Sequence, residues 1–290
     1  MLKNMTVIAL TVVAGCHGSS LTPGEFSRGK IKTADGVSIT YDVRGEGSVA
    51  LVFVHGWACD RSFWRGQADV FADTYRVVTL DLPGHGTSGT DRKVWTIAGL
   101  GEDVARVVKR LGLKRVVLVG HSMGGPVALA AAERLRGRML GVVCADAMHN
   151  ADFKWPPGVA ERWLSGFESD FDGAIENMVR AMFPEGADDS LVQWVIDRGR
   201  ATDREAAIAL MRDFTNLDYP KLLSDAGVPI RAINVAPGSK GGIPTKIEVN
   251  RKYADFAAVL MEGVGHYLML ERPAEFNSHL QTVLVELTGN

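Results

Sequence analysis

The sequence predicts an α/β fold: a mostly parallel, eight-stranded sheet flanked by helices, with a helical cap inserted after the sixth strand. Three observations support this prediction. From Lys30 onward, short apolar runs alternate with longer amphipathic stretches, as in a sheet with crossover helices. Several runs are nearly continuous Val, Ile and Leu, which is typical of strands covered on both faces. More than eighty residues separate the sixth strand from the seventh, far more than an ordinary loop contains.

The chain begins with a segment typical of an export signal. Lys3 lies in a short polar start, and an apolar run from Met5 to Ala14 follows. This run is too short to span a membrane. The next residues complete Val13-Ala14-Gly15-Cys16, which resembles the lipobox of bacterial lipoproteins and implies lipid on Cys16 and a membrane anchor facing the periplasm. The alternative is a cytoplasmic protein with an N-terminal extension. We expect residues 1–29 to be a signal and flexible tether.

The eight predicted strands are short apolar runs bounded by turn residues. Between the fourth and the fifth, apolar residues recur at helical spacing from Thr96 to Leu111, which predicts a helix packed on the sheet. The strands occupy residues 31–33, 38–43, 49–54, 75–80, 116–119, 140–145, 230–235 and 257–261. This division predicts a core of residues 30–146 and 216–290 and a cap of residues 147–215.

The insertion carries helical patterns of its own. Apolar residues repeat at helical spacing from Phe171 to Phe183, and Pro184 ends the pattern. A second helix is predicted near Leu191. Thr202 and Glu205 form a capping box that predicts the start of a third.

Composition and charge exclude some classes of partner. Hydrophobic residues at 46% and charged residues at 23% are ordinary for a globular protein. The formal net charge is -2, and Lys and Arg are spread along the chain rather than gathered in a stripe that could follow phosphates. We therefore expect no nucleic-acid partner. Cys59 and Cys144 lack the closely spaced His or Cys of a zinc site, so we expect them to be small buried residues.

The strongest motif is Gly120-His121-Ser122-Met123-Gly124, which matches G-x-S-x-G between an apolar strand and a helix-forming run. Such a strand-to-helix turn is so sharp that the serine takes a strained backbone conformation, and glycines stand where side chains would collide. Ser122 would then lie at a helix N-terminus, where free amides favour a developing negative charge. The motif predicts that Ser122 is a nucleophile.

Together with this motif, three further segments resemble the α/β-hydrolase superfamily. They are His55-Gly56-Trp57 after the third strand, the loop from Asp81 to Ser88 after the fourth, and Gly265-His266 after the last. The resemblance implies that the Trp57 and Met123 amides form an oxyanion hole, that Asp81 shapes its loop, and that His266 is the general base. It also implies that no metal or organic cofactor is required.

The resemblance leaves two positions for the acid of the expected Ser-His-acid triad. The superfamily most often supplies it just after the seventh strand, but Pro237 and Gly238 stand there. Some branches place it after the sixth strand, where this chain has Asp146. The alternative is that Asp146 only caps the turn that leads into the insertion. Because no carboxylate occurs in residues 229–246, we favour the catalytic interpretation.

These residues predict a serine hydrolase that cleaves small carboxylic esters through an acyl-enzyme intermediate. We expect cap side chains to bind an apolar acyl or aryl group, although they could instead form the core of the cap: Trp155, Trp163, Phe167, Met178, Met182 and Trp194. Hydrolysis of a C–C bond, amide hydrolysis and perhydrolysis use the same residue types and remain open. So does a binding or receptor protein that kept the fold and lost turnover.

Overall fold

The sheet matches the predicted fold. The computed structural model describes residues 26–239 and 242–289. Its eight strands are arranged in the order β1-β2-β4-β3-β5-β6-β7-β8, with β1 and β2 antiparallel to their neighbours and the other pairs parallel. The strands are β1 (Ser27–Lys32), β2 (Ser38–Arg44), β3 (Ala50–Val54), β4 (Arg76–Leu80), β5 (Val116–His121), β6 (Met139–Ala145), β7 (Ile230–Val235) and β8 (Phe256–Met261).

Helices cover the sheet and fill the interval between β6 and β7. A 3₁₀ helix, Arg61–Trp64, precedes the first α-helix. The α-helices are α1 (Arg65–Ala72), α2 (Ile97–Arg110), α3 (Gly124–Arg134), α4 (Val159–Ser169), α5 (Phe171–Met182), α6 (Asp189–Arg200), α7 (Arg204–Phe214), α8 (Tyr219–Ala226), α9 (Ile247–Asn250), α10 (Leu268–Glu271) and α11 (Pro273–Thr288). No helix among them is long and apolar enough to cross a membrane.

The central strands and the helices on them follow from the apolar pattern. Every residue of β3 and β5 is buried, because both strands are covered on both faces. The stripe predicted for α2 is buried, and Thr96 caps this helix by accepting a hydrogen bond from the Gly99 amide at 3.0 Å. Cys59 and Cys144 are buried and unpaired, and burial raises the pKa of the Cys144 thiol to about 12.

Most strand ends lie within two residues of the prediction, but the start of β1 and the cap of the third cap helix differ in their contacts. The predicted tether extends to residue 29, but β1 already begins at Ser27, where Arg28 binds the Asp42 carboxylate of β2 at 2.7 Å. The third cap helix is capped by Asp203, whose carboxylate accepts from the Ala206 amide at 2.9 Å, and not by Thr202. The Thr202 hydroxyl instead lies near the Arg198 carbonyl of the preceding helix. Cys16 and the predicted signal lie outside the described residues.

Candidate active site

Ser122 occupies a sharp turn between β5 and α3. Its backbone lies at φ +52°, a left-handed conformation that an ordinary side chain adopts only at a cost of about 1–3 kcal/mol. Two hydrogen bonds hold the turn: the Ser122 amide donates to the Ala145 carbonyl at 3.0 Å, and its carbonyl accepts from the Gly125 amide at 2.9 Å. The turn therefore presents the serine side chain at the carboxyl edge of the sheet.

The glycines on either side of Ser122 are required by close packing of the backbone. A Cβ on Gly120 would overlap the Gly124 carbonyl oxygen, and a Cβ on Gly124 would overlap the carbonyl oxygens of Val54 and His55. These overlaps involve backbone atoms that cannot move aside easily. The serine turn can thus form only with glycine at both positions.

Asp146 and His266 are hydrogen-bonded. Asp146 follows β6 at φ +44°, and its Oδ2 accepts from His266 Nδ1 at 2.6 Å. The other carboxylate oxygen accepts from the Val235 amide at 3.0 Å, so β7 fixes the direction of the side chain. Burial acts to raise the pKa of Asp146, but the hydrogen bond and charge of His266, with contributions from His149 and Val235, leave that pKa below its ordinary value. These contacts therefore favour the ionised form of the Asp146 carboxyl.

The loop that carries His266 is held from three sides. The His266 amide donates to the Met182 carbonyl at the end of α5, and the His266 carbonyl accepts from His121 Nε2, both at 2.9 Å. The Glu271 carboxylate accepts from the amides on either side of the histidine, those of Gly265 at 2.8 Å and Tyr267 at 3.1 Å. Nothing in the local sequence indicates that the Glu271 carboxylate turns back to the loop.

The two residues whose amides were expected to form an oxyanion hole lie next to the serine turn: Met123 follows Ser122 in the chain, and Trp57 follows Gly56, where an added Cβ would be 3.2 Å from the Ser122 Cβ. Within residues 26–239 and 242–289, neither the Trp57 nor the Met123 amide donates a hydrogen bond to a protein acceptor. Both residues line the same cavity as Ser122. The Trp57 indole donates to the Ala207 carbonyl of α7 at 2.7 Å, which ties this loop to the cap.

The cavity that contains these residues has a volume of about 450 Å³, and its walls are mainly apolar. Ser122, His266 and Asp146 all line it. Among the cap residues predicted to bind substrate, four line the cavity: Trp155, Trp163, Met178 and Met182.

Phe167 and Trp194 do not line the cavity. Phe167 is buried where α4 packs against Trp57, at 5.1 Å between ring centroids. Trp194 packs on Phe63 at 4.8 Å, and the Arg65 guanidinium covers its ring at 4.1 Å. Six further cavity residues were not predicted: His149, Met211, Phe214, Tyr219, Lys246 and Tyr267. Met211 and Phe214 lie on a helix, where the spacing of apolar residues shows which face is buried but not what that face borders.

In the described part of the chain, the residue types that bind metals do not cluster. No group of three or more His, Cys, Asp or Glu side chains in these residues could hold a metal ion. The polar residues that line the cavity include Ser122, His266 and Asp146.

Comparisons with known proteins agree with this architecture. A pimeloyl-[acyl-carrier protein] methyl ester esterase from Aeromonas hydrophila is 29% identical over 256 residues, which cover 83% of this chain and 96% of that protein. A component of the acetoin cleaving system from Cupriavidus necator, named as a dihydrolipoyllysine-residue acetyltransferase, is 35% identical over 140 residues. This second alignment covers 48% of the chain and only 35% of that longer protein.

Solved structures show the same fold. An esterase from Thermogutta terrifontis superposes with a TM-score of 0.76 at 23% identity, covering 90% of this chain and 99% of that one. The sequence profile of the Alpha/beta hydrolase family matches residues 51–279, a range that includes Ser122, Asp146 and His266. The chain therefore belongs to the α/β-hydrolase family.

Proposed function

We propose that the protein is a serine esterase in which Ser122, His266 and Asp146 form a catalytic triad. The observation that carries the proposal is the 2.6 Å hydrogen bond between Asp146 and His266, in one apolar cavity with a serine held at positive φ. A glycine-rich turn with no catalytic task would not need a strained serine. The relatives named as esterases support the same reaction class.

Each residue has a distinct task in the proposed reaction. His266 accepts the Ser122 proton while the serine oxygen attacks the ester carbonyl, and the Trp57 and Met123 amides bind the oxyanion that forms. Asp146 accepts from Nδ1, so the opposite ring nitrogen is left free to act as the base. The alcohol leaves with the proton held by His266. Water then repeats the two steps on the acyl-enzyme and releases the acid.

The walls of the cavity favour an apolar acyl or aryl group. Trp155 and Trp163 stack with ring centroids 5.6 Å apart, and Met178 and Met182 supply adaptable side chains nearby.

The second candidate is hydrolysis of a C–C bond, which would use the same triad. An ester needs only the oxyanion donors and the proton held by His266, whereas cleavage of a C–C bond also requires stabilisation of the carbanion that leaves.

A panel of p-nitrophenyl esters of graded acyl length tests the proposal. We expect hydrolysis that improves as the acyl group fills the cavity, and a fall of about a millionfold in turnover for Ser122→Ala, which removes the nucleophile. The matched control is Ser165→Ala, because Ser165 is an exposed serine on α4. Ester hydrolysis by Ser122→Ala above a few per cent of the wild-type rate would remove this serine from the mechanism.

We also propose that Cys16 carries lipid and anchors the enzyme to a membrane. The support is the apolar run and the Val-Ala-Gly-Cys match in the sequence. Mass spectrometry of the mature protein from a bacterial host decides this point. A diacylglyceryl-modified Cys16 as the first residue is expected, and an intact Met1 would refute the proposal.

A further inference from the structure

A second histidine, His149, lies against the carboxylate that binds His266. Its Nε2 is 3.5 Å from Asp146 Oδ1, while His266 Nδ1 is 2.6 Å from Oδ2. The His149 side chain is only 12% exposed and lines the cavity. The Asp146 carboxylate therefore lies between two imidazole rings, and only one of them has a task in the proposed reaction.

Asn234, a fully buried residue of β7, indicates which nitrogen of the His149 ring carries the proton. The Asn234 Oδ1 accepts from the Ala147 amide at 3.1 Å, which fixes the orientation of the side-chain amide. The other amide atom of Asn234, Nδ2, is therefore a donor. This nitrogen lies 3.1 Å from the Ala147 carbonyl, 2.9 Å from Thr245 Oγ1 and 3.3 Å from His149 Nδ1. A proton on His149 Nδ1 would face the Nδ2 donor, whereas an unprotonated Nδ1 can accept from Nδ2 or from the Thr245 hydroxyl, which is also 3.3 Å away. This favours the tautomer with the ring proton on Nε2, facing Asp146.

The charge of this second ring is set by its surroundings. Burial lowers the pKa of His149, and the nearby His266 lowers it further, while Asp146 opposes both effects. The lowered pKa favours the neutral form of the His149 ring. At 3.5 Å it is too far from Oδ1 for a strong hydrogen bond, so it acts through its N–H dipole and by occupying space that water would fill.

We infer that His149 is a positioning residue that keeps Asp146 ionised and turned toward His266, with Asn234 fixing its tautomer. This inference rests on the proposed triad. Without the Nε2–H donor, Oδ1 keeps only the Val235 amide, and the carboxylate can rotate or take up water from the cavity. Both changes weaken the support that His266 needs when it becomes charged.

Two variants separate the donor from the bulk of the ring. His149→Gln can place an amide N–H near the position of Nε2, whereas His149→Leu fills similar space without a donor. We expect His149→Leu to lower kcat about ten- to a hundredfold with KM nearly unchanged, and His149→Gln to recover most of that loss. The matched control is His279→Leu on α11, which should leave both constants unchanged.

A spectroscopic readout keeps the inference separate from the ester assignment. The short bond between His266 and Asp146 should give a low-field proton resonance that Asp146→Asn abolishes. We expect this resonance in the wild type and in His149→Gln, and its loss or broadening in His149→Leu, whether or not an ester substrate is found. A wild-type kcat and an unchanged resonance in His149→Leu would overturn the inference, as would a change in KM alone.

Discussion

At the scale of single residues, backbone strain is concentrated at the cavity. The non-glycine residues of the described chain with positive φ are Ala58, Ser122, Asp146 and Met148. Three of them line the cavity, and Ala58 lies between two residues that do. Strained conformations persist where the surrounding structure holds them, and they cluster at functional sites. The turns after β3, β5 and β6 thus store strain around one cavity.

The proposed role of Asp146 predicts a clear separation of activity from stability. Asp146→Asn keeps the shape of the side chain but cannot stabilise a charged His266 and can fix the wrong tautomer. We expect a loss of about ten-thousandfold in kcat with a nearly unchanged melting temperature. The control is Asp152→Asn, since Asp152 is exposed and bonds only at the surface. Wild-type turnover with a lower melting temperature would make Asp146 a turn residue instead.

At the residue scale, the sequence narrowed the choice of site residues most where few residue types were available. Asp146 was selected by exclusion, and its carboxylate is hydrogen-bonded to His266. Phe167 and Trp194 were placed wrongly because an apolar pattern identifies a buried face but not the neighbour across it. His149 and Asn234 were missed as supports because their contact joins segments that are far apart in the chain. Glu271 was missed because nothing in the local sequence indicates that its carboxylate turns back to the histidine loop.

At the scale of elements, the end of α5 is part of the support of the histidine loop. The Met182 carbonyl accepts from the His266 amide, and Phe183 stacks on Tyr267 with centroids 5.0 Å apart. The cap is therefore joined to the catalytic loop at this end, and a displacement of α5 would move His266. The loop approaches α5 so closely that a Cβ on Gly265 would overlap the Met182 carbonyl oxygen.

Gly265→Ala tests this contact. The added methyl group must push α5 away from the loop, so we expect His266 to shift and kcat to fall at least tenfold, with a loss of about 1–3 kcal/mol in the free energy of unfolding. Gly166→Ala is the control, because Gly166 lies in α4 with no atom within 4 Å of the added Cβ. Urea unfolding and ester kinetics measure both effects. Equal behaviour of the two variants would show that the α5 contact is unimportant.

The N-terminal boundary predicts a second result at this scale. A chain that starts at Phe26 keeps all of β1, whereas a chain that starts at Lys30 loses half of it together with the Arg28 contact to Asp42. We expect the longer chain to match the full-length protein in activity and melting temperature, and the shorter one to melt lower. Equal melting temperatures would show that residues 26–29 contribute nothing to the fold.

The strands could be predicted well because most of them are covered on both faces and so are almost wholly apolar. β1 is the exception: it lies at the edge of the sheet, most of its residues are exposed or half-buried, and its sequence SRGKIK has no apolar run. Its start could not be found from hydrophobicity. The α/β order and the cap helices followed from long periodic segments, which carry the strongest signal.

At the scale of the whole molecule, buried histidines make the fold sensitive to acid. Burial lowers the pKa of both His85 and His121 to about 3, with a further contribution from a neighbouring histidine in each case. In the unfolded chain these rings take up protons near their ordinary pKa of about 6.5. The unfolded state therefore binds more protons between these values, and stability falls as the pH drops from about 6.5 toward about 3.

His85→Asn should reduce this sensitivity. His85 Nδ1 lies 3.0 Å from the Pro83 carbonyl, a contact that an asparagine amide can replace, and the residue has no part in the proposed chemistry. Urea unfolding at pH 6, 5 and 4 should show a loss per pH unit that is smaller than in the wild type by about 1.4 kcal/mol. An unchanged slope would mean that His85 is protonated in the folded state.

A fluorophosphonate probe tests most directly whether Ser122 is an activated nucleophile. The probe reacts with a serine only when a base and an oxyanion site are in place. Peptide mass spectrometry of the labelled protein locates the modified residue. We expect one label per chain, on Ser122, and no label in Ser122→Ala. A folded protein that remains unlabelled, or one that is labelled at a different serine, would contradict it.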